Sequence, residues 1–386
     1  PGFILSDAVK TVTLTTEDKT TAVFELTNTA NSMKLRKLDS KTKLPLAGAK
    51  IQVMSADGKL YKEGVTDKDG YITLAEIPAG KYTWKETVAP EAYSIDEKVY
   101  AFTMGNDGKV AGDVQFANAP ITLEVTKMNL YTGKPFAGIV FTLQDAEGKL
   151  VKTKAVEGGY RIPAEDGTET FTVDENGKAV FQYLPAGKYK LVETVPTGYI
   201  ADGTTEFELT DKHSLSNPCK LTINNCPTGL TISKIDAATS KPLTGASFRI
   251  KVKTTTGFVT LAFTKGTDGK YVLDDKGSVT DLPVDNNGLI SIVGLPLGDV
   301  WIEESVTPKD YFPISAQKAE ITKEATAIKP LTLTIKNSKF VKLGMDSDWW
   351  EFPALVGGCV LLLGGGVAFL LLRKRKTGRR TSKARY

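Results

Sequence analysis

A series of β-sandwich modules followed by a single C-terminal transmembrane helix, all-β apart from that helix, is the architecture the sequence predicts. Three observations predict it. Up to about residue 340, apolar residues alternate with polar ones in short runs separated by Gly, Asp, Asn and Pro, and almost no stretch sustains a 3.6-residue period. One long block of motifs recurs three times. Near the C-terminus, Ala354 to Leu372 is nineteen residues without a charge.

A chain of 386 residues exceeds one hydrophobic core, which implies several domains. With 41% hydrophobic and 24% charged residues it is composed as a folded protein, and its 35 Gly and 18 Pro supply turns. The net charge of +4 hides an asymmetry, because Arg373 to Tyr386 carry eight Lys or Arg and no acid, leaving the rest at −4. A mildly acidic body with a basic tail does not point to nucleic acid as a partner. Cys219 and Cys226 lie in one extended run, ~23 Å apart at strand rise and too distant to bridge each other. They are read as small buried residues, and Cys359 as apolar filling of the membrane segment.

Each block opens on a strand that carries a Lys two residues before Asp or Asn. The three are Met33-Lys-Leu-Arg-Lys37-Leu-Asp39, Leu123-Glu-Val-Thr-Lys127-Met-Asn129 and Leu230-Thr-Ile-Ser-Lys234-Ile-Asp236. An aromatic or aliphatic strand ending in Glu follows: Tyr82-Thr-Trp84-Lys-Glu86, Tyr189-Lys-Leu191-Val-Glu193 and Val300-Trp-Ile302-Glu-Glu304. Each block closes on a strand ending in Asn: Val114-Gln-Phe116-Ala-Asn118, Leu221-Thr-Ile223-Asn-Asn225 and Leu333-Thr-Ile335-Lys-Asn337. Glu to Asn is 32, 32 and 33 residues, and each Asn precedes the next block's Lys by nine. Asn28 stands nine residues before Lys37 as well, so residues 1–30 read as the C-terminal remnant of a module whose Lys and Glu lie upstream. The resulting division is a remnant at 1–30, modules at 31–120, 121–228 and 229–339, a stem at 340–353, the transmembrane helix at 354–372 and a cytoplasmic basic tail at 373–386.

Strand alternation connects these motifs to chemistry. Lys37 shares a face with Leu35, Lys127 with Val125, and Lys234 with Ile232. Glu86, Glu193 and Glu304 continue the apolar faces of their strands, as do Asn118, Asn225 and Asn337, whereas Glu303 has outward parity. Each module therefore buries an amine, a carboxyl and an amide, whose isolated burial is costly unless they meet. Burial favours the neutral amine and the protonated acid, and a neutral amine beside a polarised amide is set for attack on the Asn carbonyl with loss of ammonia. The alternative is a buried salt bridge with a hydrogen-bonded Asn and no bond. The bond would close loops of 81, 98 and 103 residues.

These residues, together with the Glu-Thr-x-x-Pro-x-x-Tyr box that follows Glu86, resemble Cna B-type (SpaA-like, prealbumin-like) isopeptide modules. The resemblance covers residues up to about 340 and implies a transthyretin-like, Ig-like β-sandwich from Gram-positive pilins and adhesin stalks. It implies Lys37–Asn118, Lys127–Asn225 and Lys234–Asn337 as the bonded pairs, with Glu86, Glu193 and Glu304 catalytic. Two departures stand out. Module 2 has Asn129 for Asp and a box one residue shorter before Tyr199; module 3 has Ser305 for Thr.

The charge-free run at 354–372 is close to the ~20 residues a helix needs to cross a bilayer. Trp349, Trp350 and Phe352 precede it and Arg373-Lys374-Arg375-Lys376 follow, placing residues 1–351 outside the cell. The Leu-Pro-x-Thr-Gly sorting signal usual in the family is absent, so retention by the membrane helix is the simpler expectation, with a sortase as partner and attachment to the cell wall as the alternative. Asp67-Lys-Asp-Gly70 and Asp285-Asn-Asn-Gly288 look like calcium loops but lack the right Gly and Glu positions and read as hairpin turns. His213 is the only histidine, leaving a Ser/His/Asp triad or a multi-His zinc site without its parts; no metal, cofactor or multi-turnover activity is expected. The expected role is a structural stalk of a cell-surface adhesin or pilin-like protein. The alternatives are a module gripping a host or matrix protein with its loops, and accessory modules of a surface hydrolase.

Overall fold

The computed structural model describes residues 2–4, 11, 13, 27–201, 203–341, 352 and 353. Among them the chain forms strands and turns, and no helix is long and apolar enough to cross a membrane. The run at 354–372, the basic tail, most of the stem and most of residues 1–30 lie outside the described residues. Three hydrophobic cores follow one another along the chain, built around Leu35, Trp84 and Phe116, then Val125, Phe141 and Phe181, then Ile232, Phe248 and Ile302. Contacts gather the first two cores into one compact unit and the third into another.

In the first module one sheet orders Tyr71–Ala75, Ser32–Asp39 and Gln115–Asn118. The other orders Leu60–Val65, Lys50–Ser55, Gly80–Val88, Tyr100–Met104 and Val110–Gly112. Alternation decides which side chains enter the space between them. Met33, Leu35 and Lys37 are buried while Ser32 and Lys34 are exposed, and Tyr82, Trp84 and Glu86 are buried while Lys81, Thr83 and Lys85 are exposed. Trp84 is fully buried, and its indole N–H donates to the Asp113 carbonyl at 3.0 Å, so the large ring leaves no polar atom unpaired.

The first and last strands of this module pair in parallel, with Lys37 opposite Phe116 and Asp39 opposite Asn118. The third module repeats the register: Gly229–Asp236 runs parallel to Leu331–Asn337, with Lys234 opposite Ile335 and Asp236 opposite Asn337. In the second module Thr122–Asn129 lies beside Cys219–Pro227. Both cysteines of the latter strand are free, Cys219 half-buried and Cys226 buried.

The turns at Asp67–Gly70 and Asp285–Gly288 are not hairpins. Leu60–Val65 and Tyr71–Ala75, on either side of the first turn, belong to different sheets, so the chain crosses from one layer of the sandwich to the other. Asp67 closes the turn by accepting the N–H groups of Asp69 and Tyr71 at 3.0 and 2.8 Å.

Candidate functional site

In the first module Lys37, Glu86 and Asn118 converge, with exposures of 0%, 4% and 1%. Neighbouring parallel strands of one sheet supply the Lys and the Asn; the opposite sheet supplies the Glu. The Lys37 Nζ donates to Asn118 Oδ1 and lies 3.4 Å from Glu86 Oε1. Asn118 Nδ2 donates to Glu86 Oε1 and Oε2 at 3.0 and 2.8 Å. The amine thus meets the amide on its oxygen side and the carboxyl reaches the nitrogen that would leave. The Phe116 ring lies 3.7 Å from the amine and Asp96 N–H donates to Glu86 Oε2 at 2.8 Å.

The third module reproduces the constellation. Lys234 Nζ donates to Asn337 Oδ1 and lies 3.7 Å from Glu304 Oε1, and Asn337 Nδ2 donates to Glu304 Oε1 at 2.9 Å. Its surroundings differ: Thr307 Oγ1 donates to Glu304 Oε2 at 3.1 Å, and the Phe312 carbonyl accepts the other Asn337 amide proton at 2.9 Å. Glu303 points outward into an ion pair with Lys251 at 2.5 Å. In the second module Lys127 and Glu193 are 3.2 Å apart, both side chains nearly inaccessible, and Asn225 is fully buried near the end of Cys219–Pro227.

Local backbone devices aim these groups. Glu86 pairs with Ile51 and Val88 with Lys50, so Thr87 is an extra residue; Ser305 is extra in the same way between Glu304 and Val306. Each is a β-bulge directly after the glutamate, a feature that bends a strand and re-aims its side chains. The second module stays in register here, with Phe141 opposite Glu193 and Val140 opposite Thr194. Behind each lysine lies a glycine with positive φ: Gly70, Gly177 and Gly288 at 75°, 67° and 71°. A Cβ at these positions would come within 2.4, 2.4 and 2.6 Å of the carbonyl oxygens of Lys37, Lys127 and Lys234. The turns that carry these glycines therefore pack directly against the lysine-bearing strands, which only glycine permits.

The Lys-x-Asp motif also gains a structural reason. Asp39 Oδ1 accepts the Lys41 and Thr42 N–H groups and its Oδ2 accepts the Tyr93 hydroxyl at 2.9 Å; Asp236 repeats this with Ala238, Thr239 and Tyr311. Asn129 Oδ1 takes the Tyr131 and Thr132 N–H groups, so Asn keeps the turn-capping half of the role. Sequence reasoning passed over these partners, although the box tyrosine, exactly placed by motif yet unused by the chemistry, was the signal.

Burial shifts the amines and the Glu86 carboxyl toward their neutral forms. Burial brings the Lys37 amine down to about 8 against the opposing pull of Glu86, and burial lifts the Glu86 carboxyl above the usual range. Burial likewise lowers Lys234 to about 8. This has a testable consequence in Asn118→Ala, where no bond can form. The unfolded chain holds the Lys37 proton up to its ordinary 10.5 and the folded one releases it near 8, so stability should rise with pH between about 8 and 10.5. Denaturant midpoints across that range measure it; a module 1 transition indifferent to pH there would contradict a titrating amine at Lys37.

Three successive sandwiches, each burying an amine, a carboxyl and an amide between its layers, define a tandem prealbumin-like surface module protein. The chain belongs to the family of the SpaA prealbumin-like fold domain, whose model matches residues 31–119, 121–221 and 228–339. It is 29% identical over 185 residues to a collagen adhesin of Staphylococcus aureus, covering 43% of this chain and 16% of that protein. It is 40% identical over 68 residues to the trypsin-resistant surface T6 protein of Streptococcus pyogenes serotype M6, covering 18% and 13%. The matched segments thus span less than a fifth of either relative. Among solved structures it is similar to the major pilin subunit of Bacillus cereus, at 19% identity and a TM-score of 0.27, covering 80% of this chain and 99% of that one. Its relatives are structural proteins of the Gram-positive surface rather than enzymes.

Proposed function

We propose that the chain is the structural stalk of a bacterial cell-surface adhesin or pilin-like protein, in which modules 31–120, 121–228 and 229–339 each close a Lys–Asn isopeptide bond. The observation that carries this reading is the sealed contact of amine, amide and carboxyl at Lys37, Asn118 and Glu86, repeated at Lys234, Asn337 and Glu304. The neutral Lys Nζ attacks the Asn Cγ, the Glu carboxyl takes a proton from the amine and gives one to Nδ2, and the Cγ–Nδ2 bond breaks to release ammonia. The products are one secondary amide and the regenerated acid. Groups held in this way reach effective molarities on the order of 10⁵ M or more, and one turnover per module suffices. Lys127, Glu193 and Asn225 are assigned the same roles in module 2. The run at 354–372 would hold the stalk in the membrane with residues 1–351 outside, without help from a recognisable sorting motif.

Because the bond joins the first and last strands, tension would cross a module without opening its sandwich. Pulled by its ends in a single-molecule force experiment, the chain should show no lengthening from modules 1 to 3. Asn118→Ala should then release up to ~280 Å of contour from the 81 residues between Lys37 and Asn118. Wild-type modules that extend like ordinary sandwiches would sink the stalk mechanism.

The likeness to a collagen adhesin favours a second reading, in which loops of these modules bind a matrix protein. Saturable binding of the full chain to immobilised collagen would support it, and absence of binding would leave the stalk alone.

A further inference from the structure

We propose that modules 1 and 2 are held as one body by a hydrogen-bonded joint, closed by Tyr183 of module 2 reaching back to Asp39 of module 1. Tandem domains move relative to one another by default, unless contacts across the junction are extensive. Here the connecting segment is built into both neighbours. Tyr93 and Pro120 form an antiparallel bridge, and Ser94 N–H donates to the Ala119 carbonyl at 2.9 Å. Ile121 N–H then donates to the Ala92 carbonyl at 2.9 Å, while its own carbonyl accepts the Tyr183 N–H at 3.1 Å. Ala92 and Tyr183 adopt φ of 66° and 65°, a conformation side-chain-bearing residues rarely take and one the joint holds in place.

The backbone pattern is a device of the chain, since it recurs within the second unit. Thr228 N–H donates to the Gly198 carbonyl at 2.9 Å and its carbonyl accepts Gly294 N–H at 3.0 Å, with φ of 80° and 86° at the two glycines. Tyr183 stands in its block where Gly294 stands in the next, directly before the Leu-Pro pair. The junction between modules 1 and 2 adds a side-chain layer that a glycine cannot supply. Asp39 is 2% exposed, and its Oδ2 accepts both the Tyr93 hydroxyl at 2.9 Å and the Tyr183 hydroxyl at 3.1 Å. The two rings meet edge to face at 5.7 Å. Lys41 Nζ donates to Gln182 Oε1 at 3.0 Å and lies 3.4 Å from the Tyr160 ring centre. Ile95 N–H donates to the Asp211 carbonyl at 2.8 Å, and Glu97 pairs with Lys212. A buried carboxylate with donors from both modules favours one mutual orientation, because rotation removes the Tyr183 hydroxyl and leaves Asp39 Oδ2 with Tyr93 alone.

The joint stands independently of the covalent bonds. It is tested on the full chain in detergent, with nitroxides on p-acetylphenylalanine at exposed Lys62 and Lys188, read by electron double resonance. The wild type should give one narrow distance distribution. Tyr183→Gly should widen it about two-fold, and Tyr183→Phe, which keeps the ring and loses the hydroxyl, should widen it less. A broad wild-type distribution, or a wild-type width in Tyr183→Gly, overturns the proposal. Should Tyr183→Gly unfold module 2, Tyr183→Phe decides alone: widening supports the joint and an unchanged width overturns it. Intact mass on the same samples separates the two readings, since a narrow distance without ammonia loss keeps the joint and removes the covalent stalk.

Discussion

The purified wild-type chain is expected to weigh three ammonia masses less than its sequence, and Glu86→Ala, Glu193→Ala and Glu304→Ala should each restore one. The reason lies in the proton path. Asn118 Nδ2 donates to Glu86 at 2.8 Å, and the Lys37 amine lies 3.4 Å from the same carboxyl. Alanine leaves no group in the sealed space to carry a proton from amine to departing ammonia. Water cannot substitute, since Lys37, Asn118, Lys234 and Asn337 are at most 1% exposed. Electrospray mass spectrometry reads each module separately through its own variant. A wild-type mass equal to the sequence mass would mean that the triads are polar clusters only.

Loss of the bond in module 1 through Asn118→Ala should lower that module's stability by about 4–5 kcal/mol, from the chain entropy of an 81-residue loop. The cost extends beyond entropy. Lys37 and Glu86, both buried, would remain as an amine and an acid that have lost the amide satisfying them, whereas the bonded product is a neutral amide. Asn337→Ala should act alike over 103 residues in module 3. Denaturant unfolding of the full chain would show the affected transition moving to lower midpoint while the others stay in place. A shift below ~1 kcal/mol would indicate that no cross-link had been removed.

Much of the candidate site was legible because strand alternation has period two and burial follows it. Leu35 and Lys37, Trp84 and Glu86, and Phe116 and Asn118 are buried as the parity of their strands requires. Parity alone does not show that the bearing strands come together. The parallel pairing of Ser32–Asp39 with Gln115–Asn118, which seats the amine beside the amide, is a contact across 81 residues. The bulges at Thr87 and Ser305 carry no sequence mark that separates them from a regular strand. The turns at Asp67–Gly70 and Asp285–Gly288 read as hairpins because Asp and Gly close a tight turn of either kind. Only the placement of the following strand in the opposite sheet reveals a crossover.

The sequence by itself determined the all-β class, the threefold recurrence and the identity of Lys, Glu and Asn as the polar groups on core faces, since these follow from local periodicity and spacing. Tertiary structure decided what those residues touch: which glutamate oxygen meets which nitrogen, why Gly70, Gly177 and Gly288 must be glycine, and how Asp39 comes to accept hydroxyls from two modules. The physical reason is that side-chain direction along a strand is a local property of the backbone, whereas register, layer crossing and inter-module contact arise from non-local pairing, where one residue of slip would turn every buried group outward.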